Sequence, residues 1–190
     1  MQRREVLGKC AGLVLVSSVA GCSSNNESTT TTGDEQDPNA DRLDPEMVGE
    51  IVGNYKAGYE GVNSGIDLIS TTLEAWNEDN NPGYAAALSG TEESMNNVAE
   101  GFSDAASEAA EINKSGIRKA ATAGENEAKL LGDTARYMVD AANQASNGNR
   151  AEASNLLSKS QATMERAQEK HKQLLKPKEV ADRVNYSGPV

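Results

Sequence analysis

Residues 45–76 read PEMVGEIVGNYKAGYEGVNSGIDLISTTLEAW. Large apolar side chains fall at Val48, Val52, Tyr55, Tyr59, Val62, Ile66, Ile69, Leu73 and Trp76, in alternating steps of four and three. That spacing lines them along one stripe of an α-helix, the seam of a helix packed at a shallow angle against others. Asp44 offers an N-cap, Pro45 suits the first helical position, and Glu46 places an acid in the first turn. Asn77-Glu78-Asp79-Asn80-Asn81-Pro82-Gly83 ends the run.

The same spacing restarts three times. The second seam is Tyr84, Leu88, Thr91, Met95, Val98, Phe102, Ala105, Ala109 and Ile112, closed by Asn113-Lys114-Ser115-Gly116. The third is Ile117, Ala121, Gly124, Ala128, Leu131, Ala135, Met138, Ala142 and Ala145, closed by Ser146-Asn147-Gly148-Asn149. The fourth is Ala153, Leu157, Ser160, Met164, Ala167, His171 and Leu174. The pattern predicts an all-α domain over 45–190, with helices near 45–79, 82–113, 116–147 and 150–176. Helices of this length, about 45 Å each, joined by short turns favour an up-down-up-down four-helix bundle of antiparallel neighbours. A tetratricopeptide-like array is the rival, but its helices are about half as long. Pro177, Ala181 and Val184 continue the spacing past Leu174, which predicts a break at the proline and a short helix near 178–185.

The seams are unevenly filled. Trp76 and Tyr84 flank the first turn and are placed to pack across it, whereas Ala105, Ala109, Ala121, Gly124 and Ala167 leave little volume. Tyr55, Tyr59 and Phe102 come from the same levels and would fill the space; the alternative is a cavity, the one obvious place for a ligand. The candidate pocket is therefore His171, Tyr55, Tyr59 and Gly124.

Few residues there carry chemistry. Cys10 and Cys22 are the only cysteines and His171 the only histidine, so a metal site rich in either is absent, and no catalytic residue can be singled out. His171 sits on a seam, where a neutral imidazole bonded to Tyr55 or Tyr59 is the simplest expectation. A His on the last helix and a Met on the first, here His171 and Met47, is similar to soluble b-type cytochromes of the 562 class, which implies haem b as an alternative cofactor. Met95, Met138 and Met164 fall at similar heights and suggest copper, although seam methionines are far more often adaptable core filler.

Ahead of the helices, Arg3-Arg4-Glu5-Val6-Leu7-Gly8-Lys9 leads into an apolar run from Cys10 to Ala20 and then Gly21-Cys22. A charged start, a short apolar stretch and small residues before a cleavage point read as an export signal, too short to span a bilayer. Arg3-Arg4 with Val6-Leu7 resembles the twin-arginine export motif, and Val19-Ala20-Gly21-Cys22 resembles the lipobox of prokaryotic lipoproteins. The resemblance implies removal of residues 1–21 and a lipid on the Cys22 thiol. Two acyl chains, at about 0.8 kcal/mol per buried methylene, would make the anchor effectively permanent. Residues 23–44, SSNNESTTTTGDEQDPNADRLD, are polar and low in complexity and read as a disordered tether.

Of 18 basic and 29 acidic residues, cleavage before Cys22 takes Arg3, Arg4, Lys9 and Glu5, leaving 15 and 28, a net charge of −13. That charge argues against nucleic acid and anionic membrane surfaces as partners. An acidic twin-arginine lipoprotein with such a tether looks like the exported lipoproteins of halophilic archaea. The sequence thus reads as a non-enzymatic binding, sensory-accessory or structural module, held on the extracytoplasmic face of the cell membrane and meeting an unidentified protein partner. Asn26-Glu27-Ser28, Asn113-Lys114-Ser115 and Asn185-Tyr186-Ser187 are N-glycosylation sequons, tripeptides that also arise by chance.

Overall fold

A computed structural model describes residues 43–76 and 81–190. The export signal, the lipobox and most of the tether lie outside the described residues, Arg3, Arg4, Val19, Ala20, Gly21 and Cys22 among them. The described residues are all-helical: α1 (Pro45–Glu74), α2 (Asn81–Leu88), α3 (Thr91–Glu111), α4 (Ser115–Ser146), α5 (Arg150–His171) and α6 (Pro177–Arg183). No helix among them is long and apolar enough to cross a membrane.

α1 starts as its residues dictate. The Asp44 carboxylate accepts the Glu46 N–H at 2.9 Å, and Pro45 occupies the first turn. It ends at Glu74 rather than near residue 79. The Ala75 and Trp76 amides close the last turn, and the Tyr84 hydroxyl donates to the Ala75 carbonyl, taking a group that a further turn would have used. The Trp76 and Tyr84 rings stack at 4.9 Å and 18° across the connection.

The expected helix over 82–113 is two helices. Gly90 adopts φ 81°, a left-handed conformation open to glycine, and separates α2 from α3. The seam hides this break, because Leu88 and Thr91 on either side are both buried. α5 likewise ends at His171, not near 176, because the following segment is held elsewhere. The Tyr55 hydroxyl donates to the Leu175 carbonyl at 3.1 Å and accepts the Leu175 N–H at 2.8 Å. Pro177 then disfavours helical geometry at Lys176, whose ψ is 147°, and opens α6.

α4 is the helix on which the others converge. It packs broadly along α3 and α5, less so along α2 and α1, while α1 lies on α3 and α6 on α1. Having neighbours on several sides widens its buried stripe to include Ala120, Ala123, Glu127, Thr134 and Ala141, beyond the third seam itself. Along α1 the stripe shifts the other way. Ile51, Gly58, Gly65 and Thr72 are buried, while Tyr59, Ile66, Leu73 and Trp76 pack at its edge. The glycines face bulky residues of α3: a Cβ at Gly58 would lie 2.9 Å from Phe102, at Gly61 2.5 Å from Val98, and at Gly65 2.8 Å from Met95. Close approach, not flexibility, is what these positions require. Met95, Met138 and Met164 are all buried in the core.

Candidate functional site

Tyr55, Phe102, Gly124, Glu127 and His171 meet in one layer. α1 supplies Tyr55 and Gly58, α3 supplies Phe102, and α4 supplies Gly124. The Phe102 ring lies between the two glycines: a Cβ at Gly124 would stand 2.5 Å from its edge. Tyr55 meets the same ring edge-on, with centroids 5.4 Å apart and planes at 84°, and both side chains are fully buried. The small-residue region is therefore filled at Gly124, which faces an aromatic ring and not a void.

One turn along α4, the surroundings become polar. His171 Nδ1 and Glu127 Oε1 are 2.9 Å apart, joining the last residue of α5 to the middle of α4. This corrects the expected partner: neither tyrosine hydroxyl takes the imidazole. Tyr55 is turned to Leu175, and Tyr59 lies beside His171 with ring centroids 6.1 Å apart and planes at 33°. The Glu127 side chain has no exposure, whereas that of His171 keeps 32%. Glu127 Oε2 is buried with no hydrogen-bond partner.

Burial raises the Glu127 carboxyl above its ordinary range, partly offset by the bond to His171. The Glu127 carboxylate raises His171 in turn, against a smaller opposing effect of burial. Burial thus favours the protonated carboxyl, while the contact between the two groups favours a carboxylate beside a protonated imidazole. With Nδ1 committed to Glu127, Nε2 is the ring nitrogen left for anything outside. Burial also raises the Tyr55 phenol, so it stays protonated and keeps its bond to the Leu175 carbonyl.

The haem arrangement does not fit. Met47 stands twelve residues before Tyr59 on α1, about 18 Å along the axis, while His171 lies beside Tyr59 itself. Ligands on opposite faces of one porphyrin must both reach a single iron, and these two cannot. Among the described residues, no three His, Cys, Asp or Glu side chains are grouped to hold a metal ion.

The structure brings Tyr55, Tyr59, His171 and Gly124 to one level, with Tyr55 and Gly124 against Phe102 and Tyr59 against His171. The residue that sequence reasoning missed is Glu127. It falls between Gly124 and Ala128 of the third seam, a flanking position usually left in water. A lone seam histidine level with an acid on the adjacent helix was the available signal. No family model matches the chain, and no curated protein or solved structure matches it.

Proposed function

We propose that this chain is a lipid-anchored extracytoplasmic protein, exported on Arg3-Arg4 and held by Cys22, whose helical domain is a non-enzymatic binding, sensory-accessory or structural module. The charged start, short apolar run and Gly21-Cys22 support the first half of that reading. One observation carries the second half: the groups best suited to chemistry are turned on each other. His171 is bonded to Glu127, Tyr55 is bonded to the Leu175 backbone, and the space at Gly124 holds Phe102.

The helical domain is proposed to be an up-down-up-down four-helix bundle, α2 and α3 together forming its second member. Paired positions support this. Rising along α1, Gly58, Gly61 and Gly65 face Phe102, Val98 and Met95, which descend along α3. On α4, Gly124 faces Phe102 and Gly132 faces Met95, again in opposite order. A tether between anchor and bundle leaves the acidic helices free to meet a protein partner.

Fractionation and intact-mass spectrometry of the full-length chain test the anchor. The chain is expected in membranes with a lipid on Cys22, and Cys22→Ser is expected to release it. An unlipidated chain that stays soluble and uncleaved would overturn the anchor. Adding haem to the solubilised chain is expected to give no Soret band, and turnover of a substrate at a defined pocket would overturn the non-enzymatic reading.

A further inference from the structure

Three helices of the domain finish in the same kind of turn. After α3, α4 and α6 one residue adopts positive φ, and the amide that follows returns to a carbonyl five residues back. Lys114 N–H reaches Ala109 O at 2.8 Å, Asn149 N–H reaches Gln144 O at 2.9 Å, and Tyr186 N–H reaches Ala181 O at 2.9 Å. The left-handed residues are Asn113 at 57°, Gly148 at 81° and Asn185 at 56°. Glycine is the usual occupant of that position, as at the end of α4, and asparagine the usual substitute. Asn113 and Asn185 are the only non-glycine residues with positive φ among the described residues. Each opens an Asn-X-Ser tripeptide whose middle residue is not proline, Asn113-Lys114-Ser115 and Asn185-Tyr186-Ser187.

We propose that Asn113 and Asn185 are N-glycosylation sites, used on the folded domain. Both asparagines and both serines are exposed. Neither asparagine amide is hydrogen-bonded within the described residues, whereas Asn54, Asn63, Asn126 and Asn149 each donate to a neighbour. An enzyme therefore meets an exposed amide without a hydrogen-bond partner at each turn, with Ser115 at the first residue of α4 and Ser187 beyond the end of α6. Left-handed backbone alone would be met by glycine, as Gly148 shows. It admits asparagine as the substitute but does not account for the serine two residues on at both sites.

The two sites lie at one end of the domain. Lys114, Asn185 and Ser187 line the same surface groove as Asp44 and Pro45, where α1 begins. Glycans there would stand beside the start of α1.

In the transfer, asparagine Nδ2 attacks the anomeric carbon of an oligosaccharide carried on a lipid phosphate. The C–N bond forms as the anomeric C–O bond breaks, the lipid phosphate departs with the electron pair, and Nδ2 loses one proton. The donor is a lipid-phosphate-linked glycan on the outer face of the membrane. The proposal therefore rests on the export reading above.

Glycopeptide mass spectrometry on the full-length chain, purified from membranes of the producing organism, tests it. Peptides containing Asn113 and Asn185 are expected to carry a glycan, with Ser115→Ala removing the first alone and Ser187→Ala the second alone. Bare peptides on chains lipidated at Cys22, or a glycan confined to Asn26, would overturn the proposal while leaving export intact. Bare peptides on unlipidated chains with an intact leader would overturn the export reading, and the proposal with it. A glycan that survives the serine substitutions would also overturn it, because attachment would not then depend on the tripeptide.

Discussion

Gly124 and Glu127 stand three residues apart on α4, both buried, and for opposite reasons. At Gly124 shape decides: nothing larger than hydrogen fits beneath the Phe102 ring. At Glu127 charge decides: a carboxyl without exposure is held by one imidazole, and its second oxygen has no partner. The first region, Phe102 enclosed by two glycines, is apolar. The second responds to protonation and connects inward burial to a histidine that still touches water. A helix can carry both because each neighbour sets the environment of only one face.

The comparison breaks most visibly at Phe102. Phe102→Ala empties the space between Gly58 and Gly124 and is expected to cost about 3–5 kcal/mol of unfolding free energy. Urea denaturation followed by circular dichroism should show that loss equally at pH 5.5 and 8.5. A pH-dependent loss would mean that the two regions are one.

Gly124→Ala should come next. Alanine gains about 1 kcal/mol of helix propensity, but the overlap with an enclosed ring costs more, for a net destabilisation of about 1–3 kcal/mol. Phe102→Leu in the same chain should recover part of that loss. If alanine at 124 raised the urea midpoint instead, the steric account of this region would fail.

Tyr55→Phe removes the hydroxyl that holds the Leu175 backbone and should cost about 1–2 kcal/mol. Hydrogen exchange should rise chiefly between residues 172 and 186, since α6 also rests on α1.

The smallest effect is the most specific. Folded Glu127 and folded His171 both bind protons more tightly than their unfolded counterparts, for burial raises the first and Glu127 raises the second. Their contribution is therefore fully present below the unfolded values and is lost as pH rises through the folded ones. Stability of the native chain should fall from pH 5 to pH 9, and Glu127→Gln should flatten that profile. A Glu127→Gln chain with the native slope would place the titration elsewhere.

The all-helical class was legible because seams at 48, 52, 55 and 59, and their equivalents, leave no other period. Less legible was which of two adjacent residues faces inward. Tyr59 and Ile66 look like core, yet Gly58 and Gly65 are the buried members of those pairs. Hydrophobicity marks the larger side chain, while close helix contact selects the smaller one. Gly90 was hidden because a single left-handed residue does not disturb the spacing on either side. Glu127 was hidden because its burial depends on how many helices surround α4, which no local pattern records. His171 was found at its level, but its partner could not be read from its own helix.

The hydroxyl of Tyr55 and the backbone of Leu175 meet across a separation of 120 residues. Contacts of that span form late, because the intervening loop must be closed before they contribute. During synthesis, α1 emerges well before residues 175–186, so its face around Tyr55 stays uncovered until they follow. A chain cut before Leu175 would lack the backbone partner of the Tyr55 hydroxyl and the helix α6, and would expose that stretch of α1 to water. The cover over this part of α1 is thus supplied from far along the sequence, and a chain lacking residues 175–186 is distinguishable by its surface from one that has them.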